Sequence, residues 1–483
     1  MQIDLLVRNA LVIDGTGAPR FEGDLAITDD RISAIGRLDP LRGEREIDAS
    51  GLVAAPGFID VHTHDDRMLI DQGDMAPKVS QGVTTVIAGN CGISLAGLAD
   101  RGVPPPPLDL LDQTGRWFRF PTFRAYFDEL AGRPAATNAA FLVGHSTLRV
   151  AAMDNLARPA TAAERGQMKA AIDEAMRAGA LGMSTGTFYE PAAAAPTEEL
   201  IELSHAVAAH RGLYVTHMRN EADEIGPAID ETLKIGHDCG IGVVISHHKV
   251  AGLRNHGRSI ETLEKIGAAM KRQPVALDCY PYPAASTILT ASRLAVAARV
   301  LVSWSIPHPE FAGRDLADIA QELGVTREQA VARLAPAGAI YFMMDERDVQ
   351  RILAFPDTMI GSDGLPHDAS PHPRLWGTFP RVLGHYSRDL GLFPLETAVR
   401  KMTGLPAARF GLTGRGRLAV GAFADITLFD PATVIDTATF ESPVQAAAGI
   451  HTVIVNGTPV WRSGRPTGER PGRILERGLT LLD

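Results

Sequence analysis

Cysteine is scarce in this sequence: Cys91, Cys239 and Cys279 are its only 3 among 483 residues. Three thiols cannot build the disulfide framework of a small secreted domain, and no charged, apolar and small-residue leader pattern opens the chain. A reduced cytoplasm is the expected setting. Long apolar runs are missing as well. No stretch reaches the roughly 18 to 20 uninterrupted apolar residues that a membrane-spanning helix needs, so no membrane partner is expected. Positive charge is in deficit: 47 Lys and Arg against 57 Asp and Glu give a net charge of -10. Nucleic acid and anionic bilayers both demand dense basic surface, so neither is an expected partner. Local cations can still hold a small anionic substrate.

The composition is otherwise that of a soluble globular protein, 45% apolar and 22% charged. A chain of this length exceeds what one core normally supports, which predicts a large domain with a smaller one. Short strands separated by turns fill residues 1–55: Asp4 to Val12, Asp24 to Thr28 and Arg31 to Gly36. A matching set closes the chain over 414–483, with Asp425 to Phe429, Thr452 to Val455 and Thr458 to Trp461 around the hairpin turn Asn456-Gly457. The two sets are expected to combine into one β-sandwich. Between them, over 56–413, buried apolar strands alternate with amphipathic helices, and about eight strand ends fall near Val61, Gly89, Val143, Ser184, Thr216, Ser246, Cys279 and Gly361. This is the pattern of an α/β protein built on a (β/α)8 TIM barrel. Thr161 to Glu164 forms a capping box ahead of the helix to Ala178, and Thr197 to His210 carries apolar residues at helical spacing. Residues 283–344 are too many for one helix and predict a subdomain inserted near the barrel mouth. The Pro run Pro104 to Pro107 predicts a stiff surface excursion.

Catalytic groups of such barrels sit at the C-terminal ends of the strands, and here those ends are polar. The first strand runs into His62-Thr63-His64, a spacing that points both imidazoles to one side. Later ends supply Cys91, His217, His247 and Asp363. Imidazole, thiolate and carboxylate together suit zinc, whereas calcium or magnesium would want more oxygens. Successive strand side chains face opposite ways, so only one of His247 and His248 can be a ligand, and Lys249 shares the face of His247. Of the remaining histidines, His145 at the end of the third strand is the strongest further candidate.

The motifs Gly57-Phe58-Ile59-Asp60-Val61-His62-Thr63-His64, Gly89-Asn90-Cys91-Gly92, Ser246-His247-His248-Lys249 and Gly361-Ser362-Asp363-Gly364 together resemble the N-acyl-D-amino-acid deacylases (D-aminoacylases) of the amidohydrolase superfamily. The likeness covers nearly the whole chain, and Cys91 is its most specific element. Many superfamily members bridge two metals with a modified lysine on the fourth strand. Here that strand reads Gly182-Met183-Ser184-Thr185-Gly186, which departs from the majority and agrees with the cysteine-bearing subgroup. The resemblance implies a tight zinc held by Cys91, His217 and His247, with His62, His64 and Asp363 forming a second, weaker position. It implies that Lys249, Tyr280 and Arg374 hold a substrate α-carboxylate. The segment Ser286 to Arg293 resembles N-acyl-D-glutamate deacylases in particular, in which an arginine at the place of Arg293 meets the side-chain carboxylate.

The expected reaction is zinc-dependent hydrolysis of small N-acyl-D-amino acids, acidic ones favoured, with Asp363 as base and then acid. A deacylase for neutral D-amino acids, a cyclic-amide hydrolase of hydantoinase type and a non-catalytic scaffold on the same fold are the competing readings. A monomer or small homo-oligomer is expected.

Overall fold

The structure is a computed structural model that describes residues 2–99 and 102–478. Its centre is a ring of eight parallel strands: β1 (Phe58–Asp60), β2 (Val83–Ala88), β3 (Asn138–Gly144), β4 (Gly182–Gly186), β5 (Leu213–His217), β6 (Gly242–Ile245), β7 (Val275–Cys279) and β8 (Thr358–Ile360). Each is hydrogen-bonded to the next in chain order. Runs such as Val83-Thr-Thr-Val-Ile-Ala are buried at every position, as strands covered on both faces must be. The strand ends fall within two residues of those read from the sequence.

The seam between β1 and β8 closes just beyond the strands. Thr63 and Gly364 form a parallel bridge there, and the Asp363 N–H donates to the His62 carbonyl at 2.7 Å. Ring closure therefore brings the candidate ligands of the first and last strands together.

Helices return the chain between strands, and their ends are sequence-encoded. Ahead of Ala162–Ala178, Thr161 Oγ1 accepts the Glu164 N–H at 3.3 Å while Glu164 Oε2 accepts the Thr161 N–H at 2.7 Å. In Thr197–Ala209 the buried Leu200, Leu203 and Val207 recur every three or four residues and face the barrel. No described helix is long and apolar enough to cross a membrane.

Both terminal segments enter a single nine-stranded sheet, joined where Val53–Pro56 pairs antiparallel with Ile426–Phe429. The sandwich arises because this sheet curls back on itself: Ile32 N–H reaches Ala422 O at 2.9 Å, and Ala424 N–H reaches Asp30 O at 2.8 Å. Leu5, Val7, Leu25, Ile27, Ile426, Leu428 and Ile454 fill the space inside. The inserted region forms a three-stranded antiparallel sheet, Ala284–Ile288, Arg299–Ser305 and Ala337–Phe342, with the last in the middle. Its core includes Tyr280 and Tyr282 from the end of β7, which seats it over the barrel mouth. The proline run reaches the surface as expected at Pro106, which is exposed, but it does not stay there. Pro104 and Pro107 are buried, and the turn that follows, Leu108–Leu110, delivers Leu110 to the cavity wall.

Candidate metal centre

Two sets of potential ligands meet at the mouth, His62, His64, Cys91 and Asp363 in one and Cys91, His217 and His247 in the other. Cys91 belongs to both. Its Sγ lies 3.2 Å from His62 Nε2 and 3.3 Å from His247 Nε2, and His247 Nε2 lies 3.0 Å from His217 Nδ1. Asp363 Oδ1 is 3.3 Å from His64 Nε2 and 3.5 Å from His62 Nε2.

Burial decides the charge of these groups. It pushes His62 down to about 3 and His217 to about 4, lowers His247, and raises the Cys91 thiol well above its ordinary value. These imidazoles are thus neutral; His217 Nδ1 and His247 Nε2 face each other at 3.0 Å, and His62 Nε2 faces Asp363 Oδ1 at 3.5 Å. Nitrogen, sulfur and carboxylate oxygen converge here within 4.8 Å of one another, and this donor set fits zinc. Burial also works against ionisation of Asp363, but Arg374, with a hydrogen bond from His64, outweighs it and holds the carboxyl well below the usual carboxylate range.

Carboxylates stand behind the histidines. Asp278, within β7, accepts the His247 backbone N–H at 2.9 Å and lies 3.4 Å from His62 Nδ1. Burial pushes its carboxyl up to about 7. Glu221 lies 3.3 Å from His217 Nε2 and 3.0 Å from His247 Nδ1. Under the seam, the fully buried Lys78 Nζ donates to Asp60 Oδ2 at 2.8 Å and Ser362 Oγ at 2.9 Å, while Asp60 Oδ1 accepts the Ser362 N–H at 2.8 Å. Sequence pattern alone assigns roles to none of Asp278, Glu221 and Lys78. A lone Asp inside the apolar run of β7 is the available signal for Asp278; Glu221 and Lys78 give none.

The candidate substrate residues gather in the same place. Lys249, Ser286 and Arg293 line one cavity with His64, Cys91, His217, His247 and Asp363. Ser286 Oγ is buried without a hydrogen-bond partner among the described residues. Arg293 lies with its guanidinium 4.2 Å from the Phe188 ring centroid and 5.5 Å from that of Tyr341. Arg374 and Tyr280 are buried beside Asp363: Arg374 Nη1 is 2.9 Å from Asp363 Oδ2, and its guanidinium lies 4.5 Å from the Tyr280 ring centroid. Lys249 Nζ is paired with Glu221 Oε1 at 2.6 Å.

Other histidines stand apart. His248 turns outward, its Nε2 2.9 Å from Thr262 Oγ1 on the helix Ser259–Met270, as strand alternation requires. His145 opens a helix and pairs with Glu199 at 3.2 Å, in a cluster completed by Arg149.

A D-aminoacylase of Alcaligenes xylosoxydans xylosoxydans is 59% identical over 98% of both chains, and an N-acyl-D-aspartate deacylase of that organism is 55% identical over 99% of this chain and 96% of its own. Its N-acyl-D-glutamate deacylase is 46% identical over 99% of this chain and 98% of its own. Among solved structures, a D-aminoacylase with a binuclear metal centre superposes with a TM-score of 0.96 at 57% identity, covering 98% of this chain and all (100%) of that one. The N-acyl-D-glutamate deacylase of Bordetella bronchiseptica, complexed with zinc and a phosphonate inhibitor, superposes with a TM-score of 0.95 at 47% identity, covering 99% and 100%. The profile described as the amidohydrolase family matches residues 45–461, and the chain belongs to that family.

Proposed function

We propose that the protein is a zinc-dependent deacylase that hydrolyses N-acyl-D-amino acids to a carboxylate and the free D-amino acid, favouring acidic substrates such as N-acyl-D-glutamate. The observation that carries this reading is the shared Cys91, at which two sets of buried ligands meet under a cavity furnished with cations. The relatives named above support the substrate class. A fourth strand without lysine speaks against a lysine-bridged, hydantoinase-like centre.

Cys91, His217 and His247 would hold the tighter zinc, and His62, His64 and Asp363 a second, weaker one. When bound, the metal polarises the scissile carbonyl and lowers the pKa of water toward neutrality. Asp363, kept ionised by Arg374, accepts the proton of the attacking water. The same carboxyl then returns it to the amine nitrogen as the C–N bond breaks. Lys249, Tyr280 and Arg374 orient the α-carboxylate. Arg374 and Lys249 already carry Asp363 and Glu221, so the substrate shares these cations with internal carboxylates. Ser286 offers its unpartnered hydroxyl to the substrate. Arg293, stacked on Phe188 at the cavity wall, offers its planar fork to a side-chain carboxylate.

A panel of N-acetyl-D- and N-acetyl-L-Glu, Asp, Leu and Met, assayed alongside metal analysis, tests the reading. D substrates should outrun L, and acidic ones neutral; faster L hydrolysis would overturn it. In Arg293→Leu the rate ratio of N-acetyl-D-glutamate to N-acetyl-D-leucine should fall by roughly ten- to a hundredfold, the worth of a charged hydrogen bond. An unchanged ratio would remove the acidic preference and leave the deacylase.

A further inference from the structure

Glu221 sits four residues beyond His217, only 6% exposed, in a loop tied down by its own carbonyl, which accepts the Ala251 N–H at 2.8 Å. Its two carboxylate oxygens face two different rings. Oε2 is 3.3 Å from His217 Nε2, and Oε1 is 3.0 Å from His247 Nδ1. The opposite nitrogens, His217 Nδ1 and His247 Nε2, are 3.0 Å apart, and the latter is 3.3 Å from Cys91 Sγ.

A neutral imidazole has one N–H and one lone pair, so an acceptor at one nitrogen assigns the lone pair to the other. An ionised carboxylate only accepts, and Glu221 presents one oxygen to each ring. We propose that Glu221 is a positioning residue for metal binding, fixing both histidines at once in the tautomers that turn His217 Nδ1 and His247 Nε2 toward Cys91. This rests on the reading of Cys91, His217 and His247 as the tight metal position.

Lys249 sharpens the assignment. Its Nζ is 2.6 Å from Glu221 Oε1 and 2.7 Å from His247 Nδ1. That ring nitrogen can accept from the lysine or donate to the carboxylate, not both. Acceptance would leave the proton on Nε2, pointing at Cys91 Sγ and blocking the metal. With metal bound, the carboxylate therefore takes Nδ1–H, and Lys249 bonds to Glu221 Oε1 and to the His247 carbonyl, 3.1 Å away. An amide cannot replace the carboxylate, because its NH2 would face one of the two ring N–H groups.

The test is zinc affinity, measured by chelator competition on wild type, Glu221→Gln and Glu221→Gln/Lys249→Met. The double variant removes one charge of each sign and so keeps the local net charge of wild type. Both variants should bind zinc roughly 10- to 100-fold more weakly, the usual effect of losing such an outer partner. Glu221→Gln leaves the Lys249 ammonium buried without its partner and should melt lower, so thermal unfolding of the metal-free double variant, which strands neither charge and should stay near wild type, separates weakened binding from loss of fold. Should Glu221→Gln not fold, Glu221→Asp keeps the charge, is too short to serve both rings, and should show the same weakening. Wild-type affinity in Glu221→Gln, or its recovery in the double variant, would overturn the proposal. A wild-type protein that binds no zinc would instead overturn the metal reading beneath it.

Discussion

Cys91, His247 and Asp363 hold φ angles of 54°, 36° and 50°, a left-handed backbone that side-chain-bearing residues seldom adopt. Each such residue costs about 1–3 kcal/mol and persists where the surroundings fix it. Here the Asp363 N–H is held by His62 O, and the His247 N–H by Asp278. The turn aims each side chain into the mouth instead of along the strand. Charge at this scale yields a prediction about metal loading. At neutral pH burial keeps the Cys91 thiol protonated, while His217, depressed to about 4, is already a neutral imidazole with a free lone pair, and burial lowers His247 in the same direction. Zinc binding at the tight position should therefore release about one proton, and apparent affinity should rise about tenfold per pH unit below the thiol's pKa. Calorimetry in buffers of differing ionisation enthalpy counts the protons; a release of two or more would mean that the histidines are protonated before binding. A further prediction concerns Asp363→Asn, which should lower kcat by on the order of 10²–10⁴-fold while the tight zinc stays in place, as metal analysis of the variant would report. The six candidate ligands were legible because each follows an apolar run directly. Glu221 and Lys78 were not, since Glu221 acts from a loop and Lys78 has the pattern of an ordinary lysine on a short helix, Ala76–Val79.

At the scale of elements, the barrel is weakest at its seam, where β1 and β8 have three residues each and no direct ladder joins them among the described residues. Lys78 compensates by joining Asp60 at the end of β1 to Ser362 beyond β8. Removing the cation leaves Asp60 buried and only partly satisfied by N–H donors. The same ammonium lies 3.3 Å from the buried Asp65 Oδ2, so Lys78→Met strands two carboxylates and should cost about 3–5 kcal/mol in urea unfolding of the metal-free protein. A loss within about 0.5 kcal/mol, the range of an ordinary surface substitution, would show that Lys78 does not hold the seam. The strands themselves were readable, because unbroken apolar runs such as Val83 to Ala88 admit little but a buried parallel strand. The helix after Thr161 was readable from its capping box. The inward course of Pro104 to Leu110 was not, because proline reports the local φ and the missing donor but says nothing of which way the segment faces. The sheet inside the insertion was likewise hidden, its strands being short and its pairing non-local.

At the scale of the whole molecule, the two-ended origin of the small sheet was visible from strands at both termini and the Asn456-Gly457 hairpin, whose residues have φ of 47° and 80°. How that sheet grips the barrel was not visible, because the residues that do so read as turn and loop polar groups. Asp425, just before the strand Ile426–Phe429, pairs with Arg415 and accepts the Asn456 N–H at 2.8 Å. Asn138, the first residue of β3, accepts from Asn456 Nδ2 at 2.8 Å and from the Arg473 N–H at 3.1 Å. This polar knot lies at the N-terminal end of the barrel, opposite the ligands, where fixed residues serve stability instead of chemistry. Arg415 and Asp425 are 7% and 4% exposed, so Arg415→Met strands a buried carboxylate and should cost about 3–5 kcal/mol. Because the knot spans both units, the loss should appear as one shifted denaturation transition, with zinc affinity of the folded fraction unchanged. Two separated transitions, or weakened zinc binding before unfolding, would mean that the small sheet and the metal centre depend on each other by a route other than this junction.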